Sequence, residues 1–312
     1  MSLGFTPDAN DSISQVASTI RDFLDRLCYQ PAVPNQEDRR RLEEIVRDEL
    51  ARHIQSYHGE RTSEWLDRCC TPGVALSQMI YPGHDFEEQL YMSRLTTWLL
   101  YFDDMAHRMP SSLEAFQRNL ITNEDDLEVM VTFRRLLADA YRLRDPISAN
   151  LIVTSCMEFV TGCAIEGSKE LSLMKVRETA ASWPYFLRTR TGVAHAFSFM
   201  IFPRNLNFEL SSYIQIMGDA NLFIELANDV LSFHKENLVG ETNNYVSNRA
   251  YTTGKSAIQA HKEIAEDVIS AYHRICATLD KSQLEVWKKY ANGHLAFHVA
   301  QKRYHLDEIL SS

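Results

Sequence analysis

Apolar residues return every three or four positions along almost the whole chain. That period confines it to packed helices. Ile13, Val16, Ile20, Phe23, Leu24 and Leu27 set the pattern, which turns one side of a helix toward a core. Pro31 and Pro34 should end this helix. Residues 37–57 repeat the pattern with a charged opposite face. Further helices are expected near 84–109, 124–143, 147–166, 168–187, 207–236, 255–279 and 281–308, with another apolar stretch at 189–201. Thr71-Pro72-Gly73 and Tyr81-Pro82-Gly83 should bound a short helix. Pro110 should stop the long one, and Ser111 or Ser112 should cap its successor. No strand-length alternation competes, and no Asn-Gly or Asp-Gly pair sits in a hairpin pattern. Only 11 glycines and 9 prolines occur in 312 residues, about half the usual share and too few for a many-turned β-sandwich. Without a repeat or a low-complexity linker, the expectation is one all-α domain over residues 1–312.

Charge and cysteines narrow the function. The chain has 32 basic and 42 acidic residues, a net charge of −10. No overall basic footprint for nucleic acid or an anionic membrane exists. A polyanion would have to bind at a local site. The start, MSLGFTPDANDS, lacks a basic patch followed by an apolar run. The most apolar stretch, 151–165, is too short to span a bilayer and contains Glu158, so a buried core helix is expected. Six cysteines without a C-x-x-C spacing suit reduced thiols and a cytoplasmic protein.

The chemistry concentrates at Asn228-Asp229-Val230-Leu231-Ser232-Phe233-His234-Lys235-Glu236. On a helix, Asn228, Ser232 and Glu236 fall four residues apart along one face. They offer an amide oxygen, a hydroxyl and a carboxylate. These are hard donors suited to Mg²⁺ that also accepts phosphate oxygens. A solvated helix face would look the same. A second candidate closes the apolar run Trp98-Leu99-Leu100-Tyr101-Phe102, where Asp103 and Asp104 stand together. Acids at a helix C-terminus oppose its dipole, so they favour a nearby cation, although an exposed acidic pair is the simpler reading. Asn123-Glu124-Asp125-Asp126 reads instead as the start of a helix. Basic groups complete the set. Arg188-Thr189-Arg190-Thr191-Gly192 interrupts a helical region 40 residues before Asn228. Arg303-Tyr304 follows the last apolar run. With Lys235, these can grip phosphate oxygens.

In this order, the motifs resemble those of class I terpene cyclases, especially the fungal trichodiene synthase-like branch. NDVLSFHKE is similar to the N-D-x-x-S-x-x-K-E metal motif. Arg188-x-x-Thr191-Gly192 resembles the diphosphate-sensing arginine, linker and helix-break effector. Arg303-Tyr304 resembles the C-terminal Arg-Tyr pair, and Asp103-Asp104 stands where the aspartate-rich motif belongs. The likeness covers about residues 90–305. In one respect the sequence departs from the family: Met105, Ala106 and His107 replace the expected further acid. This leaves two roles open for Asp104, a metal ligand or the partner of an arginine such as Arg303.

The resemblance implies a helical bundle around a deep apolar pocket and a sesquiterpene synthase acting on farnesyl diphosphate. Asp103, Asn228, Ser232 and Glu236 would hold a cluster of three Mg²⁺ ions. Arg188, Lys235, Arg303 and Tyr304 would bind the diphosphate, and Gly192 would turn a carbonyl toward the new cation. Thr96, Leu99, Phe199 and Phe297 are expected in the pocket wall, and bulk at Trp98 to Phe102 suggests a modest volume. The polar stretch 237–253 is the expected lid, a loop with at most a turn of helix. First closure at C1–C10, C1–C11 or C1–C6 is not separable by motif, and a homodimer is the one macromolecular partner left open. Three rivals stand beside this reading. A chain-elongating prenyltransferase would carry two D-D-x-x-D motifs. A di-iron protein needs two E-x-x-H pairs, and only Asp104-x-x-His107 comes close. A catalytically inactive helical binding protein would release no diphosphate.

Overall fold

The computed structural model describes residues 9–32, 36–124 and 126–310. The N-terminal stretch read for a leader lies mostly outside these residues, as do Pro34 and Asp125. The chain begins with four long helices: α1 (Ala9–Arg26), α2 (Gln36–His58), α3 (Thr62–Ile80) and α4 (Phe86–Met105). After α5 (Pro110–Thr122), α6 (Glu128–Ala138) and α7 (Ala140–Leu143) comes the apolar α8 (Pro146–Gly167). Three short helices follow, α9 (Lys169–Ser172), α10 (Trp183–Thr191) and α11 (Ala194–Ser198). The chain closes with α12 (Met217–Leu238), α13 (Tyr245–Thr253), α14 (Ala257–Thr278), α15 (Lys281–Ala300) and α16 (Leu306–Leu310). No strand occurs among the described residues.

Where boundaries differ from expectation, the cause is local. Pro72-Gly73 does not break a helix, because both lie inside α3. Proline there forfeits one backbone hydrogen bond, yet Gly73 lets α4 come close: a Cβ at this position would sit 2.4 Å from Thr97 Oγ1. Gly293 does the same for α15 on α3, since its Cβ would meet Met79 O at 2.1 Å. Neither Ser111 nor Ser112 caps α5. Pro110 occupies its first turn, where a missing N–H costs nothing. The expected helix at 168–187 is mostly irregular. Leu173 is 74% and Met174 43% exposed, so no buried stripe stabilises it. The expected helix from 207 starts only at Met217, behind three 3₁₀ turns. The last helix stops at Ala300, and His305 turns left-handed (φ 55°) before α16.

Packing places α4, α12 and α15 around a common interior. α3 packs on α4 and α15, and α12 packs on α11, α14 and α15. α8 is the one described helix long and apolar enough to cross a membrane, but half of that stretch is buried within the protein, against α5, α10 and α11. It is a core helix. All six cysteines are free.

Candidate active site

Two adjoining hollows open at one end of the bundle. The first has a volume of about 210 Å³. Its wall is mainly apolar, with Leu76, Ile80, Leu99, Leu100, Phe159 and Phe297 among the lining residues. The second, about 250 Å³, is polar and includes Glu166, Asp229, Glu236, Glu241, Asn243 and Asn248. Four residues border both hollows: Asp103, Arg188, Thr191 and Asn228. A greasy chain in the first hollow could therefore carry an anionic head into the second.

One wall is α12, continuous through the Asn228 motif. Its face is tied by hydrogen bonds. Arg188 Nε donates to both Asp229 carboxylate oxygens at 2.9 Å. Its Nη2 donates to Glu225 O at 2.8 Å and to Asn228 Oδ1 at 3.2 Å. Asn228 Nδ2 lies 2.9 Å from His298 Nε2. Ser232 Oγ donates to Glu236 Oε1 at 2.5 Å, so two of the hard donors already stand together. Burial opposes charge on Arg188, but Asp229 and Glu225 outweigh it and hold the guanidinium firmly protonated.

The opposite wall is the end of α4. Asp103 points into the mouth, where water reaches it although protein crowds most of its sides. That crowding, with the Asp104 carboxylate beside it, raises its pKa; Arg303 and Lys235 pull the other way. Among the described residues none hydrogen-bonds to Asp103. Asp104 is held in a fork by Arg68, at 2.6 Å to Nε and 2.9 Å to Nη2. Arg303 is therefore not its partner. The reason is reach: Arg68 lies on α3, the helix packed against α4.

The acids of the polar hollow are short of positive charge. Burial and Asp103 push Glu166 up to about 7. Burial also raises Glu236, against the hydrogen bond from Ser232, and raises Asp229 against Arg188. Glu225 of α12, which lines neither hollow and has one buried carboxyl oxygen without a partner, is pushed by burial up to about 8. Such a set suits a divalent cation. Asn228, Ser232 and Glu236 on one side and Asp103 on the other are the oxygen donors that fit Mg²⁺. Among the described residues no three His, Cys, Asp or Glu side chains converge on one point. A metal here would need the Asn and Ser oxygens and those of a ligand.

The helix break differs in detail from expectation. Gly192 stays right-handed (φ −84°) and caps α10, while Val193 takes the left-handed turn (φ 52°). Only glycine fits at 192, because a Cβ would lie 2.8 Å from Arg188 Nη1 and from Glu225 Cγ. Thr96, Leu99, Phe297, Arg303 and Tyr304 line the apolar hollow, but Phe199 does not. Phe197 takes that place, four residues after Val193 on the same side of α11; Phe199 lies past the end of that helix. Trp98 and Phe102 also face away. Phe102 packs edge-on against Phe133 of α6, so their bulk does not set the pocket volume. Lys235 is half-buried and lines neither hollow. Stretch 237–253 is not all loop: its second half is α13, and Asn243, Asn244, Tyr245 and Asn248 border the polar hollow.

Glu166, Glu225 and two histidines on α15 went unread in the sequence. His294 lines the apolar hollow with both ring nitrogens unpartnered and is held neutral by burial. Burial pushes His298 down to about 4. The spacing His294-x-x-x-His298, one turn before Arg303-Tyr304, was the available signal.

Comparison with known proteins identifies the family. The family model described as trichodiene synthase (TRI5) matches residues 18–312. Terpene synthase BipA of Cochliobolus sativus is 30% identical over 301 residues, covering 95% of this chain and 90% of that one. Longiborneol synthase CLM1 of Gibberella zeae is 29% identical, covering 92% and 85%. Monoterpene synthase 25 of Postia placenta is 26% identical, covering 97% and 90%. Among solved structures, a linalool/nerolidol synthase from Streptomyces clavuligerus superposes with a TM-score of 0.65 at 12% identity, over 86% of this chain and all of that one. The chain belongs to the trichodiene synthase family: it is a terpene synthase, a carbon–oxygen lyase acting on phosphates, with the class I all-α fold.

Proposed function

We propose that this terpene synthase ionises farnesyl diphosphate and cyclises the resulting cation to a sesquiterpene hydrocarbon, with Mg²⁺ as cofactor. The observation that carries the reading is the shared border of the two hollows at Asp103, Arg188, Thr191 and Asn228. It sets an apolar chamber against an oxygen-rich one at a single seam. Asn228, Ser232 and Glu236 would hold metal from one wall and Asp103 from the other. Bound there, Mg²⁺ supplies Lewis-acid stabilisation of the departing diphosphate. Arg188, Arg303 and Tyr304 would bind its oxygens and, with the positive charge of Lys235 nearby, offset the growing negative charge.

The rest is done by shape. A carbocation is quenched by water, so the apolar wall excludes it. Phe159, Phe197, Phe297, Tyr290 and Tyr304 line that wall, and aromatic faces attract a cation without bonding to it. Gly192, beside Arg188, marks where the allylic end would lie. Segment 237–253, bordering the polar hollow, is the element to close over the diphosphate.

The test is incubation of purified protein with Mg²⁺ and farnesyl diphosphate, then gas chromatography and mass spectrometry of the organic extract. A C15 hydrocarbon is expected. Product from geranyl diphosphate alone would move the substrate to C10. A longer diphosphate, formed only with isopentenyl diphosphate added, would make the protein a prenyltransferase. No diphosphate release from any of these would leave an inactive binding protein.

A further inference from the structure

We propose that His298 is a positioning residue that sets which end of the Asn228 amide faces the reaction site. The chain of hydrogen bonds allows only one assignment. Arg188 carries donors only, so the Asn228 atom 3.2 Å from its Nη2 must be the oxygen. The amide nitrogen then faces His298 Nε2 at 2.9 Å. That nitrogen only donates, so Nε2 must be bare. The other ring nitrogen, Nδ1, lies 2.7 Å from the carbonyl oxygen of His294 one turn back on α15. It must carry the ring proton. The imidazole is thus neutral, in its Nδ1–H form, and offers Asn228 an acceptor.

This matters because an amide has two nearly isosteric ends. Rotated by 180°, Asn228 would show its NH₂ group to Arg188 and to any cation, repelling both. His298 penalises that rotamer, because its bare nitrogen would then face an oxygen. The ring itself is fixed. It is 2% exposed and lies against the rings of His294 and Tyr304, each with centroids 4.7 Å away. The effect on catalysis rests on the metal-ligand reading of Asn228. The proton placement does not.

The experiment therefore has two arms. In the first, metal-free protein labelled with ¹⁵N-histidine is examined by long-range ¹H–¹⁵N NMR. His298 should show a protonated Nδ1 and a bare Nε2. In Asn228→Asp, whose carboxylate can only accept, a proton should appear on Nε2. A wild-type Nε2 that carries hydrogen overturns the proposal, whatever the enzyme's substrate. In the second arm, turnover and Mn²⁺ affinity with inorganic diphosphate are measured. His298→Phe keeps a ring without the acceptor and should weaken both by roughly 10- to 100-fold, as loss of a group orienting a metal ligand does. His298→Gln, whose Oε1 can stand near the Nε2 position, should recover most of the loss. In Asn228→Asp there is no amide to rotate, so adding His298→Phe should cost under about 3-fold, well below the loss an orienting group carries. An equal loss in both backgrounds, or no rescue by Gln in a folded protein, would show that His298 merely fills space.

Discussion

The two walls of the mouth are built in opposite ways. On the α12 side the motif residues are tied to one another and to their neighbours: Arg188 with Asp229 and Asn228, Asn228 with His298, Ser232 with Glu236. On the α4 side, Asp103 has no hydrogen-bond partner among the described residues and a raised pKa, and its neighbour Asp104 is committed to Arg68. One wall is pre-organised without ligand; the other holds a single carboxylate under electrostatic strain. The tied wall contributes to folding, whereas a carboxylate with a raised pKa on the α4 side does not favour the fold.

The largest effects should come from opposing substitutions on the two walls. Arg188→Ala leaves Asp229 buried without its partner, which costs about 3–5 kcal/mol of fold stability, and it removes turnover too. Asp103→Asn should cut turnover at least ~100-fold, a typical loss for a group that stabilises charge in the transition state. Yet it should leave the metal-free fold as stable or slightly more so at pH 8, because it deletes a charge the site disfavours. Urea denaturation beside steady-state assays reads both. Equal destabilisation by the two variants would erase the distinction between the walls.

A smaller effect should appear in pH. Glu225 is raised from its ordinary value to about 8, so the folded state holds a proton that the unfolded chain releases. Its favourable contribution is complete below the unfolded pKa and is lost as pH rises through about 8. Between pH 5 and 9 the loss should reach up to about 4 kcal/mol. Glu225→Gln should flatten that slope, measured as denaturation midpoint against pH. A slope that survives the substitution assigns it to the acids of the polar hollow instead.

Least affected should be Asp104→Asn. The Arg68 pair is largely at the surface, with the arginine side chain 64% exposed, and such pairs contribute about 0–1 kcal/mol. Turnover within about 3-fold of wild type would fit a residue worth no more than that pair. A loss matching that of Asp103→Asn would return Asp104 to the metal site.

Helicity, the order of the motifs and the family were legible in the residues, because each rests on spacing within one segment. A four-residue step puts Asn228, Ser232 and Glu236 on one face whatever surrounds the helix. Which arginine claims Asp104, which phenylalanine reaches the cavity and which histidine holds Asn228 were not legible. These pairings join residues 36, 4 and 70 positions apart, and even the shortest depends on a left-handed turn at Val193 that no local pattern announces. Periodicity is a property of the backbone and can be read along the chain. Hydrogen-bond partners and cavity walls exist only once α3, α4, α12 and α15 have packed, since burial decides which polar groups must find one another.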